Sequence, residues 1–575
     1  MAHQRRHADA CRPTLAGAAH HATGGATIPI LRRRPGARRR GASGGYRLLF
    51  KDSVIYGTGR AVQKLLMALL LPLYTAYLTP ADYGVLGMVV TVTTFLDVFV
   101  TLGFDVAFSR FYFDDTSPEG RRKVVTNVFY VSTVYPAILI GTCAVIMPQL
   151  APWLLGEEYS AGDWKYFVVA LVTLFFTNLN DLPFHLLRLE HKPWRFSAYI
   201  FARIAVQVPL SVLFVAVFDW GAMGVLGANL FTAAGLHLAL LPVYVGRLNR
   251  LPDPKVLRPM LAFAVPALFT GVSFYWLKIS DRFFLLHYQG KAEVGLYTVA
   301  NSLAQPLYIV LMAFRMAWPQ WHYSKLGDRE THKRIVARSS TYFLALNGFM
   351  LVVLGALLPL LAHLLLNERY WSVVPTTFVL AVSISIYGAY FIFWVGSNVA
   401  KKNQMIPVFF AISSAVNVGL NFLFVPEYGM WAAAWNTVIG YAILAGTIYF
   451  YSRRYYPIPY EWPRLLRLLG ATALTLATVF GIMELIGLET SLPLSDLVWR
   501  TLAVLPALAV FPLALVVSGF FTPGEREKLL GPVRGMRKGG RAETTPPEHE
   551  SEEEASEALE TEARLDVTEK GGLSP

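Results

Sequence analysis

The sequence predicts an all-α integral membrane protein of about fourteen transmembrane helices: two parallel six-helix bundles around a central cavity, followed by two C-terminal helices. Three observations carry this. The chain is 54% hydrophobic and only 15% charged, where a soluble globular protein carries about 25% charged residues. The apolar residues come in runs of about 20, the length a helix needs to cross roughly 30 Å of hydrocarbon; residues 344–366 keep one His, and 501–521 hold no charge. Finally, landmarks in the first twelve runs recur at a nearly constant offset.

Taken in order, the spans fall at about 53–78, 83–108, 124–148, 164–188, 195–218, 222–246, 259–287, 294–319, 338–366, 372–399, 404–426, 430–452, 464–487 and 496–520. Pro72, Pro136, Pro183, Pro209, Pro266, Pro306 and Pro407 lie inside runs. Membrane helices tolerate this when neighbours satisfy the freed carbonyls, so each reads as a static kink.

The loops alternate in charge. One set carries Arg110, 121–123, Arg188, Lys192, Arg195, Arg247, Arg250, Lys255, Arg258, Lys325, Arg329, Lys333, Arg334, Arg338, Lys401, Lys402, Arg453, Arg454, Arg464 and Arg467; the other holds Lys165, Lys291 and Arg369. By the positive-inside rule the first set is cytoplasmic, which puts both termini inside. That in turn requires an even number of spans. The net charge of +13 is therefore a topology signal scattered over short loops, not a nucleic-acid surface. Cys11 and Cys143 lie in a polar stretch and an apolar run, which argues against a disulfide framework or a Cys-based metal site.

Residues 1–50 read as a basic, disordered cytoplasmic tail, Arg-rich and too short in apolar stretch for a signal sequence. A misassigned translation start is the alternative reading. Residues 51–250 form the N-terminal six-helix bundle, 251–455 the C-terminal one, and 456–522 helices 13 and 14. Residues 523–575 read as an acidic disordered cytoplasmic tail, with eleven Asp or Glu between 543 and 569.

The repeat is read from three matches. Ala81-Asp82-Tyr83-Gly84 follows span 1, and Ala292-Glu293-Val294-Gly295 follows span 7, with the glycines 211 apart. Phe218-Asp219-Trp220-Gly221 joins spans 5 and 6, and Pro426-Glu427-Tyr428-Gly429 joins spans 11 and 12, at an offset of 208. Gln207 and Asn417, polar residues inside spans 5 and 11, are 210 apart. A repeat of six spans enters the membrane twice from the same side, so the halves are parallel. Transporters built from such halves place the substrate between them and rock one against the other.

Ionisable residues deep in a span face a cavity or a partner. Span 1 carries Arg60 and Lys64 on one face, roughly 10 and 17 Å from its start. Span 7 carries Lys278, Asp281 and Arg282, with a snorkelling or local Asp–Arg pairing as the plainer reading. Span 2 carries Asp97 and Asp105; span 4 carries Asn178, Asp181 and His185; Arg203 and Arg315 lie nearer the cytoplasmic ends of spans 5 and 8. We assign Arg60, Lys64, Lys278 and Arg282 to the cavity as substrate-binding residues, because a cationic cavity suits a phosphate or pyrophosphate. Asp97, Asp181 and Asp281 are either coupling residues or charge partners of these bases. No catalytic residue, metal site or cofactor is expected: phosphate-cradling G-x-x-x-x-G-K-[ST] and H-E-x-x-H motifs are absent from the sequence.

At this point residues resemble a family. Leu71-Pro72-Leu73-Tyr74 to Ala81-Asp82-Tyr83-Gly84, Ser280-Asp281-Arg282-Phe283 with Gly295-Leu296-Tyr297, and 417–429 (Asn-Val-Gly-Leu-Asn-Phe-Leu-Phe-Val-Pro-Glu-Tyr-Gly) are similar to signatures of bacterial polysaccharide-biosynthesis flippases. These belong to the multidrug/oligosaccharidyl-lipid/polysaccharide exporter superfamily. The resemblance covers about residues 50–520. It implies two bundles forming a V, with helices 1 and 7 lining the cavity, in the inner membrane. It also implies flipping of an undecaprenyl-pyrophosphate-linked oligosaccharide to the outer leaflet, alongside other polysaccharide-assembly proteins. The Arg-rich start and acidic end are not part of the family pattern.

Three alternatives compete. A cation-coupled multidrug exporter fits less well because the deep charges of span 1 are basic. A peptidoglycan-precursor flippase shares the same chemistry. A membrane polysaccharide polymerase or glycosyltransferase conflicts with the short outer loops and the two-bundle repeat.

Overall fold

The computed structural model describes residues 70–115, 117–249, 251–323, 326–522 and 525. Among these residues the regular secondary structure is all helical, so most backbone groups in the spans are satisfied within their own segment, as hydrocarbon demands. In chain order the helices are α1 (Leu70–Tyr77), α2 (Pro80–Thr101), α3 (Phe104–Phe111), α4 (Pro118–Leu155), α5 (Trp164–Leu189), α6 (Pro193–Ser211), α7 (Gly221–Tyr244), α8 (Pro254–Gln289), α9 (Lys291–Tyr323), α10 (Arg329–Leu365), α11 (Val374–Val399), α12 (Ile406–Tyr455), α13 (Trp462–Leu485), α14 (Leu494–Val504) and α15 (Val510–Val517).

Eleven of the described helices are long and apolar enough to cross a membrane. Helix α8 has the length, at 36 residues, with more charge. The 50-residue α12 contains two spans, broken at Gly429, and α1 is the described end of span 1. Together these account for the fourteen spans read from the sequence. The chain is a multi-pass membrane protein.

The helix starts explain their own positions. Thr79 and Asp82 form a reciprocal cap on α2, with the Thr79 amide donating to Asp82 at 3.0 Å and the Asp82 amide to the Thr79 hydroxyl at 3.2 Å. Pro80, Pro118, Pro193 and Pro254 stand in first turns, where a missing N–H costs nothing. Pro136, Pro183 and Pro209 sit inside their helices as expected, and a π-helical turn over Val212–Val217 follows Pro209. Pro407 opens α12 rather than kinking it.

One helix departs from the sequence reading. Span 2 is not continuous to residue 108. Leu102 and Gly103 both take left-handed backbone, φ 48° and 67°, and break it into α2 and α3. Glycine adopts this conformation freely, and it carries the leucine beside it. Asp105 therefore falls on the short α3.

The repeat is visible in the backbone. Gly221 and Gly429, 208 apart, both stand at positive φ, 55° and 53°, so each half turns between its last two spans in the same way. The sharper sign is where the halves meet. A Cβ on Gly84 would overlap the carbonyl oxygen of Lys291, and one on Gly295 would overlap the carbonyl oxygen of Pro80. Pro80 and Lys291 are separated by the same 211 residues as Gly84 and Gly295. A Cβ on Gly87 would meet Thr298, again 211 away. Helices α2 and α9 thus cross about a local two-fold axis, in contact so close that only glycine fits.

This crossing lies at the sparsely charged end of the bundle. Other contacts join the halves there. Lys291 and Asp163 form an ion pair at 2.8 Å, with side chains only 9% and 10% exposed. Removing one partner of such a buried pair costs about 3–5 kcal/mol, because the other charge is stranded. Tyr370 donates to the carbonyl of Leu78 at 2.9 Å, and Thr75 to that of Leu365 at 3.2 Å. The Tyr83 and Tyr370 rings meet edge to face, with centroids 5.8 Å apart.

The C-terminal pair, α13 and α14–α15, packs on α10 through an apolar cluster that includes Val352, Ala356, Leu468, Val479, Leu497 and Phe511. At the basic end Glu525 ties this pair down, bonded to Arg338 and, at 3.2 Å, to Arg464. Burial alone would raise its carboxyl. Hydrogen bonds from Tyr342, the Thr522 amide and Arg338 outweigh that and bring it to about 2.

Candidate functional site

The sequence-predicted site residues divide into three groups. Arg60 and Lys64 lie outside the described residues. Lys278, Asp281 and Arg282 fall together on α8, midway to its outer turns. Asp181 and Asp97 lie in the N-terminal half, on α5 and α2.

The α8 group is the centre of a buried polar network on three helices. Asp281 is 3% exposed. Its carboxylate accepts from the Tyr297 hydroxyl on α9 and, at 2.9 Å, from the backbone N–H of Arg282. Ser280 donates to the Asn417 carbonyl oxygen on α12 at 3.0 Å. Asn421 donates to that same oxygen at 3.1 Å, and Asn436 donates to Asn421 at 2.9 Å. Asn417 and Asn421 stand one turn apart in the first segment of α12, and Asn436 faces them from the second segment, beyond the Gly429 break. A buried polar group without a partner costs about 1–3 kcal/mol. The network therefore fixes how α8, α9 and both halves of α12 fit together.

Cations flank this network. The Arg282 guanidinium lies 5.7 Å from the Tyr297 ring centroid, and Lys278 reaches over Tyr308 at 5.9 Å. Arg315, on α9, sits 4.6 Å over the Phe391 ring of α11. Lys278 and Arg315 are exposed from the protein interior and Arg282 is half-buried. Spacing i, i+4 puts Lys278 and Arg282 on one face of α8. Aromatic faces hold such cations in place without neutralising them, and the Arg282 charge also acts on the Asp281 carboxylate.

The N-terminal half has its own polar core. Thr101, Ser132, Asn178, Asp181 and His185 line a small cavity between α2, α4 and α5. Asn178 donates to the carbonyl of Ser132 at 2.8 Å. The Arg203 charge acts on Asp181 from α6, and Arg188 bonds the His185 ring at 3.1 Å. Asp97 is half-buried on α2. Gln207 bonds Asn229, just as its counterpart Asn417 anchors the network of the other half.

Among the described residues no cluster of three or more His, Cys, Asp or Glu is arranged to hold a metal ion. Asp281 is instead a single buried carboxylate that accepts from the Tyr297 hydroxyl and the Arg282 backbone N–H.

Some of these residues were not singled out from sequence. Tyr297 belonged to a repeat landmark but showed no chemistry. Asn421 left a signal, since it stands at i, i+4 from Asn417 in an apolar span, which marks an inward face; Asn436, 15 residues further on, left none. Lys291 looked like an ordinary loop base.

Comparison with known proteins agrees with this architecture. The model of the polysaccharide biosynthesis protein family matches residues 49–319, which bears out the resemblance read from the sequence. The protein named "Lsg locus putative protein 1" of Haemophilus influenzae is 24% identical over 319 residues, covering 54% of this chain and 73% of that protein. The fold is similar to the lipid II flippase MurJ in an inward closed conformation, with a TM-score of 0.63 and 13% identity over 85% of this chain and 99% of that one. It is also similar to an inward-facing multidrug resistance transporter of the MATE family in the MOP superfamily, with a TM-score of 0.57 and 14% identity over 68% and 94% of the two chains. The chain thus shares the fold of these two proteins.

Proposed function

We propose that the chain flips an undecaprenyl-pyrophosphate-linked oligosaccharide from the cytoplasmic to the outer leaflet, by alternating access, for cell-surface polysaccharide biosynthesis. The observation that carries this is the reciprocal crossing of Gly84 and Gly295. It is a tight, symmetric contact between repeat halves at one end of the molecule, the form a closed gate takes in a protein that rocks about a central site. The two halves, the cationic face of α8 and the family match support a rocking carrier, an anion site and a polysaccharide-related substrate.

In this reading the basic end faces the cytoplasm of the inner membrane and both termini lie inside. The gate that is shut is the outer one. Lys278 and Arg282, together with the Arg60 and Lys64 that the sequence assigns to the cavity, receive the pyrophosphate. An Arg grips two phosphate oxygens at once, while a Lys acts as a point charge. Asp281 and its oxygen neighbours take up the coupling cation or proton. The Asp181–Arg203 pair reads as a structural charge pair of the N-terminal half. The chain works as a transporter and not an enzyme, next to the other proteins of polysaccharide assembly.

The test in cells uses a strain deleted for the chain. It is expected to lose surface polysaccharide and accumulate the lipid-linked oligosaccharide, and wild type should restore both. Lys278→Ala with Arg282→Ala should insert at normal level and fail to restore either. A deletion strain with normal surface polysaccharide and reduced drug efflux would instead identify a multidrug exporter.

A further inference from the structure

Two histidines that the transport reading does not use are buried at the basic end of the C-terminal half. His322, in the last turn of α9, is 2% exposed; His332, in the first turn of α10, is fully buried. Below them lies an apolar cluster of Trp318, Val336, Ala337, Val395, Tyr456 and Ile458. The two rings and Tyr456, just past α12, form a hydrogen-bonded chain. His322 Nδ1 lies 3.2 Å from His332 Nε2, His332 Nδ1 lies 2.7 Å from the Tyr456 hydroxyl, and that hydroxyl donates to the Arg329 carbonyl at 3.3 Å.

The donors along this chain are fixed by its last bond. Tyr456 commits its proton to Arg329, so it accepts from His332 Nδ1–H. His332 Nε2 is then bare and accepts from His322 Nδ1–H. Each ring is neutral, in one defined tautomer. A proton added at His332 Nε2 would set N–H against N–H and break the link. A proton added to His322 would put a charge on a ring that is 2% exposed, beside an apolar cluster.

The surroundings oppose added positive charge. Arg329 and Lys333 already lie over the Tyr456 ring, at 5.1 and 5.6 Å. Glu330 is the nearby acid, and it is engaged by Lys333 at 2.7 Å with its own side chain 70% exposed. Tyr323 stacks on His322 from α9, and Asp328 caps α10 by accepting from the amides of Glu330 and Thr331. Burial, with the neighbouring His332, pushes His322 down to about 4.

We infer that the His322–His332–Tyr456 chain is a pH-sensitive joint, which clasps the ends of α9, α10 and α12 while both rings are neutral and lets go when they are protonated. A histidine held below its ordinary range in the closed joint binds protons better once the joint opens. Closure is therefore complete above about pH 6.5 and is lost progressively as pH falls toward about 4. On the topology read from the loops, the proton that opens it comes from the cytoplasm.

The experiment is hydrogen–deuterium exchange of the full chain in lipid nanodiscs, corrected for intrinsic rates, followed on peptides covering 326–341. Between pH 7.5 and 5.0 wild-type protection there should fall by about tenfold or more, while peptides of α7 stay unchanged. In His322→Gln/His332→Gln, which keeps side-chain donors and acceptors but cannot titrate, the same pH step should change protection less than about twofold. Unchanged wild-type protection overturns the proposal, as does an equal loss in the double variant. If the double variant does not fold, the wild-type result decides by itself. None of these readouts depends on the substrate.

Discussion

Gly84→Val or Gly295→Val is expected to abolish flipping while leaving an inserted, folded protein. Each glycine sits against a backbone carbonyl of the other half, Lys291 and Pro80 respectively. Backbone cannot turn aside as a flexible side chain can, so the added atoms forbid the crossing rather than distort it. Overpacking costs about 1–3 kcal/mol even in compliant cores, and a penalty of 3 kcal/mol shifts a two-state equilibrium by roughly a hundredfold. The penalty falls on the closed state alone, since in the open state the helices are apart. The variants should therefore rest open at the sparsely charged end. A cysteine at Val294, fully buried in the crossing, reports this in a chain whose own two cysteines are replaced by serine. In intact cells an impermeant thiol reagent added outside should leave it unlabelled on the unaltered gate and label it with Gly84→Val. Labelling only from the cytoplasmic side would reverse the topology. No labelling together with normal transport would mean that the glycine crossing is not a gate.

Asp281→Asn is expected to uncouple transport. The change keeps shape, removes the charge and turns one of the two acceptor oxygens into an NH2 donor, which the Tyr297 hydroxyl can accept while the remaining oxygen still accepts from the Arg282 N–H. If Asp281 acted only through these hydrogen bonds, the substitution would leave transport unchanged, because both contacts are kept. If it binds the coupling cation or proton, the loss is of the step that uses it. Gradient-driven flipping should then fall by at least about tenfold, the equivalent of 1.4 kcal/mol, with normal yield and melting temperature. The measurement is the rate in proteoliposomes with and without an imposed sodium or proton gradient. A variant that responds to the gradient as wild type does would remove Asp281 from coupling. A variant that melts well below wild type would return it to a structural role.

The architecture was legible because the bilayer writes it into the sequence. Spans must be long, apolar and helical, and loop charges alternate, so runs such as 501–521 announce themselves. The repeat was legible in Gly84 and Gly295, yet its meaning was not. A glycine shows that backbone comes close to something, and sequence does not say to what. The answer, each glycine on the carbonyl of the other's helix, needed both halves in space. The break at Leu102–Gly103 was hidden because a leucine at positive φ is held by its surroundings, not by its own preference. The candidate site was half legible. Charge in an apolar span drew attention to Lys278, Asp281 and Arg282, since charge there is costly. Tyr297, Asn421 and Asn436 were missed because neutral polar residues are common enough in spans that only their convergence distinguishes them. The Asp163–Lys291 pair joins residues 128 positions apart, and neither loop hints at the other.

The most direct measurement is leaflet sidedness. The purified full chain is reconstituted into proteoliposomes with an undecaprenyl-pyrophosphate-linked oligosaccharide in both leaflets, and an impermeant glycosidase is added outside. Without the protein about half of the oligosaccharide should be protected. With it, protection should fall toward zero over time, and Lys278→Ala with Arg282→Ala should hold it near the protein-free level. If protection persists with the wild-type chain under an imposed sodium or proton gradient of either direction, the chain does not flip this lipid, and the account is wrong at its centre.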